Sequence, residues 1–88
     1  MESKLQARIV KDLTEKGWYV LKVIRCNKAG HPDIEAFKNK RTVFIEVKDE
    51  NKTTEEDGLQ EYRHEQLREQ GFKVYVFNNW LDYKTTKF

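Results

Sequence analysis

The chain has 88 residues, a length that fits one small domain spanning residues 1–88. Its 12% aromatic content argues against disorder, and its net charge of +2 excludes a simple cationic nucleic-acid tail or an acidic solvating tail. The single cysteine excludes a disulfide framework, and no apolar run approaches the ~20 residues of a membrane helix. The N-terminus lacks the apolar stretch of a signal peptide, so we expect a cytoplasmic setting.

The first segment of the chain predicts a helix. Ser3 and Gln6 have the spacing of a capping box, and Gly17 is suited to a left-handed stop. Between them, apolar residues repeat every four positions and form one stripe. The stripe consists of Leu5, Ile9 and Leu13.

Three strands are predicted next. Residues 18–24 are rich in β-branched and aromatic side chains, and residues 33–38 form a shorter run of the same kind. Residues 42–48 alternate between two faces and give the clearest strand in the chain. A tight turn at residues 39–40 joins the last two strands into a hairpin, whereas residues 25–32, which include the only proline, form a loop.

The second half predicts a helix and a final strand. The helix covers residues 54–70, with Thr54 and Asp57 at cap-like spacing and Gly71 after its end. The strand at residues 72–77 follows a helical crossover, which favours parallel pairing with an earlier strand. Apolar residues on both faces of the first and last strands predict a sheet that is covered on both sides. The inner face of the second helix is predicted to consist of Leu59, Tyr62 and Leu67. The fold class is therefore α/β, with the order α-β-β-β-α-β and a mixed sheet flanked by helices.

Two charged side chains end the clearest predicted strand. Glu46 and Lys48 lie two residues apart and share one face, and an antiparallel hairpin would bring Asp33 beside them. Hard divalent cations prefer oxygen ligands, so two carboxylates and the main-chain carbonyl of Val47 would suit Mg²⁺. The alternatives are a solvated face or a cross-strand salt bridge, for which Glu35 is an equal partner of Lys48.

These motifs resemble a known family. The residues at 30–33, Gly-His-Pro-Asp, and at 44–48, Phe-Ile-Glu-Val-Lys, contain the PD-(D/E)xK nuclease signature. Together with Gln60, eleven residues before Gly71, they resemble the VRR-NUC domain, and the resemblance covers residues 2–77. It implies a restriction endonuclease-like fold and an endodeoxyribonuclease that hydrolyses DNA phosphodiesters with Mg²⁺ or Mn²⁺.

The resemblance also implies a role for each matching residue. Asp33 and Glu46 would be metal ligands, Lys48 the catalytic lysine, and Gln60 a helical residue that reaches into the site. Glu2 matches the N-terminal acid of the family, as a ligand or as a group behind the ligands. The family further implies a homodimer that cuts branched DNA, such as four-way (Holliday) junctions. A minimal stand-alone domain of this kind would suit a phage and would act in the host-cell cytoplasm.

Basic residues are concentrated in the first 48 positions, whereas the remainder of the chain is acidic. We expect six side chains to contact DNA phosphates away from the chemistry. They are Lys22, Arg25, Lys28, His31, Lys38 and Lys40. His64 is interpreted as a helix-surface residue, and the dimer interface is expected on the first or last strand with Trp80 or Tyr83. The alternatives are a non-catalytic DNA-binding module on the same fold and a purely structural or protein-interaction domain.

Overall fold

A computed structural model describes residues 3–50 and 52–88 of the chain. The predicted order α-β-β-β-α-β is present, and a short helix follows it. The elements are α1 (Lys4–Glu15), β1 (Tyr19–Lys22), β2 (Ile34–Lys38), β3 (Arg41–Val47), α2 (Gly58–Glu69), β4 (Lys73–Phe77) and α3 (Trp80–Lys84). No helix in these two stretches is long and apolar enough to cross a membrane.

Within the described residues, four strands form one mixed sheet in the order β1-β2-β3-β4. β1 pairs with β2 and β2 with β3 in antiparallel fashion, whereas β4 pairs with β3 in parallel, as the crossover predicts. Asn39 and Lys40 form the predicted tight turn between β2 and β3. Their φ angles of 51° and 66° are the positive pair that a type I′ turn requires.

One face of the sheet carries the hydrophobic core. The predicted stripe of α1 packs onto this face, and the helix begins as predicted, because the Ser3 side chain accepts a hydrogen bond from the Gln6 N–H at 3.0 Å. Strand alternation supplies the facing side chains of the sheet. The core cluster includes Leu5, Ile9, Leu13, Trp18, Ile34, Ala36, Val43, Ile45, Phe77 and Tyr83.

The opposite face of the sheet is covered only in part. α2 packs against β4, whereas Tyr19 and Leu21 of β1 remain exposed. The prediction of a sheet covered on both sides is therefore wrong at β1. The physical reason is that α2 is the only described helix on this face, and its twelve residues do not reach the far edge strand.

The second helix begins later than the sequence predicts. Asp57, rather than Thr54, is its N-cap, and the Asp57 side chain accepts a hydrogen bond from the Gln60 N–H at 2.8 Å. Gln60 completes a capping box, since its side chain accepts from the Asp57 N–H. This reciprocal pair fixes the first turn at Gly58 and leaves the preceding residues as loop.

The inner face of α2 also differs from the prediction. Leu59 and Tyr62 are exposed, Leu67 is half-buried, and the residue that the helix buries is His64. The prediction is wrong at Leu59 and Tyr62, because the part of the sheet near the start of α2 presents the carboxyl of Glu46, which matches polar rather than apolar side chains.

The short helix α3 closes the end of the core. Tyr83 is buried, and its hydroxyl donates a hydrogen bond to Asp12 Oδ2 at 2.6 Å. The expected contribution of Tyr83 to a dimer surface is therefore wrong, because the side chain already packs inside the domain. Trp80 is half-buried, with the guanidinium of Arg8 3.7 Å above its ring.

Candidate active site

The start of β2 and the end of β3 lie side by side, since Ile34 pairs with Ile45 in the hairpin. Asp33 immediately precedes Ile34, and its Oδ2 accepts a hydrogen bond from the Val47 N–H at 3.0 Å. The Asp33 carboxyl is also close enough to the Glu46 carboxyl to contribute to raising its pKa. The structure thus brings the two carboxylates together where the hairpin argument places them.

Val47 takes part through its backbone. In an extended strand the N–H and C=O of one residue point to the same side, as in residue pairs that exchange both hydrogen bonds. Because the Val47 N–H binds Asp33, its carbonyl oxygen points toward the same edge of the sheet. Val47 therefore fixes one carboxylate and offers a third oxygen beside the pair.

Gln60 connects the remaining predicted residues. Its Oε1 accepts a hydrogen bond from Lys48 Nζ, and its Nε2 donates to Glu46 Oε2 at 3.5 Å. Asp33, Glu46, Lys48 and Gln60 therefore form one contiguous set. Asp33 directly precedes β2, Glu46 lies in β3, Lys48 directly follows β3, and Gln60 lies in α2. The side chain of Gln60 reaches into this set from the first turn of the helix.

The electrostatics of the set centre on Glu46, which is 6% exposed. Burial, together with the adjacent Asp33 carboxylate, raises the pKa of Glu46 from 4.5 to about 8, and Lys48 opposes this shift only in part. Two carboxylates held this closely resist ionising together. The Lys48 ammonium alone does not offset the effects of burial and of Asp33 on the Glu46 carboxyl.

This arrangement fits a divalent cation. A dication beside Asp33 and Glu46 would relieve the repulsion that raises the pKa of Glu46, and Mg²⁺ commonly takes one or two protein carboxylates. In residues 3–50 and 52–88, no three His, Cys, Asp or Glu side chains form a cluster suited to a metal. The protein ligands that the described residues offer here are the two carboxylates and the Val47 carbonyl. Glu2, the further acid implied by the resemblance, lies outside the described residues.

A solved structure described as a VRR_NUC domain is similar to this chain. The TM-score is 0.79, with 26% sequence identity over 92% of this chain and 87% of that chain. The chain has a VRR-NUC-type fold. No family model matches the sequence, and no curated protein matches it. The structural similarity confirms the predicted family resemblance and the nuclease-type, restriction endonuclease-like fold.

His64 belongs to the same region of this VRR-NUC-type domain, and its interpretation as a surface residue is wrong. It is 0% exposed, with Nε2 3.8 Å from Glu46 Oε1 and Nδ1 3.0 Å from Glu56 Oε2. The signal available in the sequence was its spacing of four from Gln60, which places both residues on one face of a helix.

The six predicted phosphate-contacting side chains of the VRR-NUC-type domain fall into two groups. The first group lies at the end of β1 and in the loop that leads into Asp33, and much of this loop lines one groove with Asp33. The second group lies at the other end of the hairpin, about 16 Å away along five strand residues. The first group is Lys22, Arg25, Lys28 and His31, and the second is Lys38 and Lys40.

His31 and Lys38 of this set contact protein groups. His31 Nε2 lies 2.6 Å from Glu35 Oε2, and Lys38 Nζ donates to the Lys16 carbonyl at 2.7 Å, which secures the end of α1. Arg25 and Lys28 are exposed in the loop beside the site. The loop cations are therefore better placed than Lys38 to meet a polyanion near Asp33.

Proposed function

We propose that this VRR-NUC-type domain is a metal-dependent DNA endonuclease that uses Mg²⁺ or Mn²⁺ to hydrolyse phosphodiester bonds. The observation that carries the proposal is the contact set of Asp33, Glu46, Lys48 and Gln60. An ordinary structural salt-bridge network would pair each carboxylate with a cation. Here Asp33 lies close enough to Glu46 to raise the pKa of its carboxyl, and the nearby Lys48 ammonium binds an amide oxygen.

Each residue of the set has a chemical task in this proposal. Asp33, Glu46 and the Val47 carbonyl would hold the cation, which supplies Lewis-acid polarisation of the phosphate and a lowered pKa for bound water. Lys48 would orient the attacking water or neutralise charge on the scissile phosphate, and Gln60 fixes the Lys48 ammonium for that task. These tasks are the ones that phosphodiester hydrolysis requires.

We extend the proposal to branched DNA, including four-way junctions. The exposed cations beside the site, Arg25 and Lys28, suit contacts to phosphates, and such contacts carry no sequence information. The shape of the DNA, rather than its sequence, would then direct cutting. This preference is supported by the type of contact available and by the family resemblance.

A homodimer completes the proposal, because a two-fold axis would present two sites to two strands. β1 is an edge strand of the sheet, and edge strands offer unpaired backbone groups to a second chain. Tyr19 and Leu21 of β1 and the adjacent Ile24 are exposed apolar side chains. We place the dimer contact on this edge.

A cleavage panel tests the proposal directly. Linear, nicked, flapped and four-way DNA are incubated with the purified protein in Mg²⁺, Mn²⁺ or a chelator. We expect cutting only with a divalent metal, and most rapidly on the four-way substrate. Lys48→Ala and Asp33→Ala should each abolish cutting, because each removes a group from the contact set.

Two controls make the panel decisive. Lys84→Ala removes an exposed cation on α3, away from the contact set, and should cut like the wild type. Unfolding curves of the two inactive variants should remain cooperative. Cutting in the chelator, or retained cutting in both variants, would contradict the proposal. Salt-sensitive DNA binding without cutting in either metal would instead indicate the non-catalytic DNA-binding module.

A further inference from the structure

Two polar residues of α2 face the same carboxylate. Gln60 and His64 are four residues apart and therefore lie on one side of the helix. Gln60 Nε2 is 3.5 Å from Glu46 Oε2, and His64 Nε2 is 3.8 Å from Glu46 Oε1. Each oxygen of this carboxylate thus faces a nitrogen from the same helix.

The imidazole of His64 is held from its other side. His64 Nδ1 lies 3.0 Å from Glu56 Oε2, and Glu56 Oε1 lies 3.4 Å from an Arg68 guanidinium nitrogen. That nitrogen of Arg68 also donates to the Val74 carbonyl at 3.1 Å, which ties the arrangement to β4. The ring is 0% exposed, so DNA cannot touch it.

Several polar side-chain atoms of His64 and Glu56 lack a hydrogen-bond partner. Among the described residues, the buried side-chain atoms without a hydrogen-bond partner are Glu56 Oε2, His64 Nδ1 and His64 Nε2. Such atoms reduce stability, and an apolar side chain of similar volume would avoid the cost. The separation of Nε2 and Glu46 Oε1 exceeds hydrogen-bond length by less than about 1 Å, so a small approach would close it.

We propose that His64 is a positioning residue: its Nε2 holds the Glu46 carboxylate in the orientation that the cation site needs, and Glu56 holds the ring. This inference rests on the proposed function, because Glu46 is placed there as a metal ligand. Partners behind a metal ligand typically change metal affinity or activity about 10–100-fold when they are replaced.

A matched pair of variants separates the two contacts of the ring. An asparagine amide reaches about as far as Nδ1 and keeps a polar group toward Glu56, whereas a glutamine amide reaches about as far as Nε2 and keeps one toward Glu46. We expect His64→Asn to lower kcat and the calorimetric affinity for Mn²⁺, measured without DNA, by about 10–100-fold. His64→Gln should stay near the wild type. KM for DNA should be unchanged in both.

Metal-free thermal unfolding distinguishes positioning from packing. Equal losses of Mn²⁺ affinity in both variants, with equal losses of Tm, would show a structural role and overturn the inference. Unchanged Mn²⁺ affinity in His64→Asn would also overturn it. If His64→Asn does not fold, Glu56→Ala removes the group that holds the ring from the other side. Reduced Mn²⁺ affinity with an unchanged KM then supports the inference, and unchanged affinity overturns it.

The same measurements keep this inference separate from the proposed function. Wild-type protein that neither binds Mn²⁺ nor cuts any DNA would refute the proposed function, and the role of His64 with it. Wild-type protein that binds Mn²⁺ and cuts DNA, while His64→Asn does the same equally well, would refute the role of His64 alone.

Discussion

Glu46 lies at the end of a strand whose neighbouring residues are buried and apolar, and it has a carboxylate beside it. Burial is the larger cause of its raised pKa, and Asp33 adds to it. A glutamine of the same shape would fold with less penalty at neutral pH. The chain therefore carries at this position a group that disfavours the folded state when it is charged.

The raised pKa predicts how the metal-free protein responds to pH. The unfolded chain loses the Glu46 proton near pH 4.5, whereas the folded chain keeps it to about pH 8. The folded state binds more protons in this window, so its stability falls as the pH rises. Glu46→Gln removes the effect. We expect the Tm of this variant in chelator to exceed the wild-type Tm by a margin that grows from about pH 5 to pH 8.

The matched control for this experiment is Glu61→Gln. Glu61 is an exposed carboxylate in the first turn of α2, outside the contact set. The difference in Tm between Glu61→Gln and the wild type should not show the same rise between pH 5 and pH 8. A margin for Glu46→Gln that stays constant across the window would contradict the shift.

The sequence predicts some residues of the site from local geometry but not others. Asp33, Glu46 and Lys48 follow from hairpin register and strand alternation, which are fixed by short-range geometry. Gln60 came from the family resemblance alone. His64 was missed because its spacing of four from Gln60 does not by itself show which side of α2 meets Glu46, and the burial of His64 depends on that side.

Among the elements, the loop before β2 is fastened to α2. Arg63 Nε donates to the Ala29 carbonyl at 3.1 Å, and the next residue, Gly30, packs against the backbone of Leu59. Asp33 follows three residues later. The loop and the helix therefore set the position of this carboxylate together.

Alanine substitutions at two glycines test how closely this loop packs against α2. Gly30 has φ +87°, and a Cβ there would come 2.9 Å from the Leu59 carbonyl oxygen. Gly71 has φ +92°, but nothing lies within 4 Å of its Cβ position. Left-handed strain costs about 1–2 kcal/mol in either alanine variant. We expect Gly30→Ala to lose about 1–3 kcal/mol more than Gly71→Ala in urea unfolding, because the backbone contact must shift.

Cleavage assays extend the same comparison. Displacing the loop moves Asp33, so Gly30→Ala should also cut DNA more slowly, whereas Gly71→Ala should retain its rate. Equal stability losses in the two variants would contradict the packing of the loop against Leu59.

For whole helices, the hydrophobic pattern predicted the buried face correctly where that face packs against an apolar surface. The stripe of α1 is buried as predicted because it faces an apolar sheet. The prediction that Leu59 and Tyr62 are buried is wrong, because the inner side of α2 faces the Glu46 carboxylate. α3 was not predicted, since five residues are too short for a periodic signal and the helix depends on tertiary packing of Tyr83.

Across the whole molecule, the net charge of +2 is too small to attract DNA without a local concentration of cations. The loop beside the site supplies such a concentration. We expect the double variant Arg25→Ala, Lys28→Ala to bind four-way DNA more weakly in chelator. The slope of log Kd against log salt should become shallower by about 0.9 for each phosphate that the variant no longer neutralises.

Fluorescence anisotropy over a salt series measures this slope. Lys84→Ala, an exposed lysine on α3, is the control and should leave the slope unchanged. An unaltered slope in the double variant would place the DNA elsewhere on the protein.

The exposed edge of the sheet gives a second prediction for the whole molecule. Ile24 is 87% exposed beside β1, and a glutamate there would place a charge inside the proposed dimer contact. Ile24→Glu should shift sedimentation profiles toward the monomer. Leu81→Glu is the matched control, because Leu81 is 65% exposed on α3, away from β1, and should leave the dimer intact. A monomeric wild type, or a dimer unaffected by Ile24→Glu, would contradict this placement.

The side-chain amide of Gln60 closes the N-cap of α2 and also joins Lys48 to Glu46. Unwinding the first turn of that helix would therefore also remove the Gln60 contacts to Lys48 and Glu46. On the proposed function, a chain that frays at Asp57 would lose the group that fixes the Lys48 ammonium and would cut DNA more slowly. The proposed cleavage activity is thus coupled to the folding of the first turn of α2.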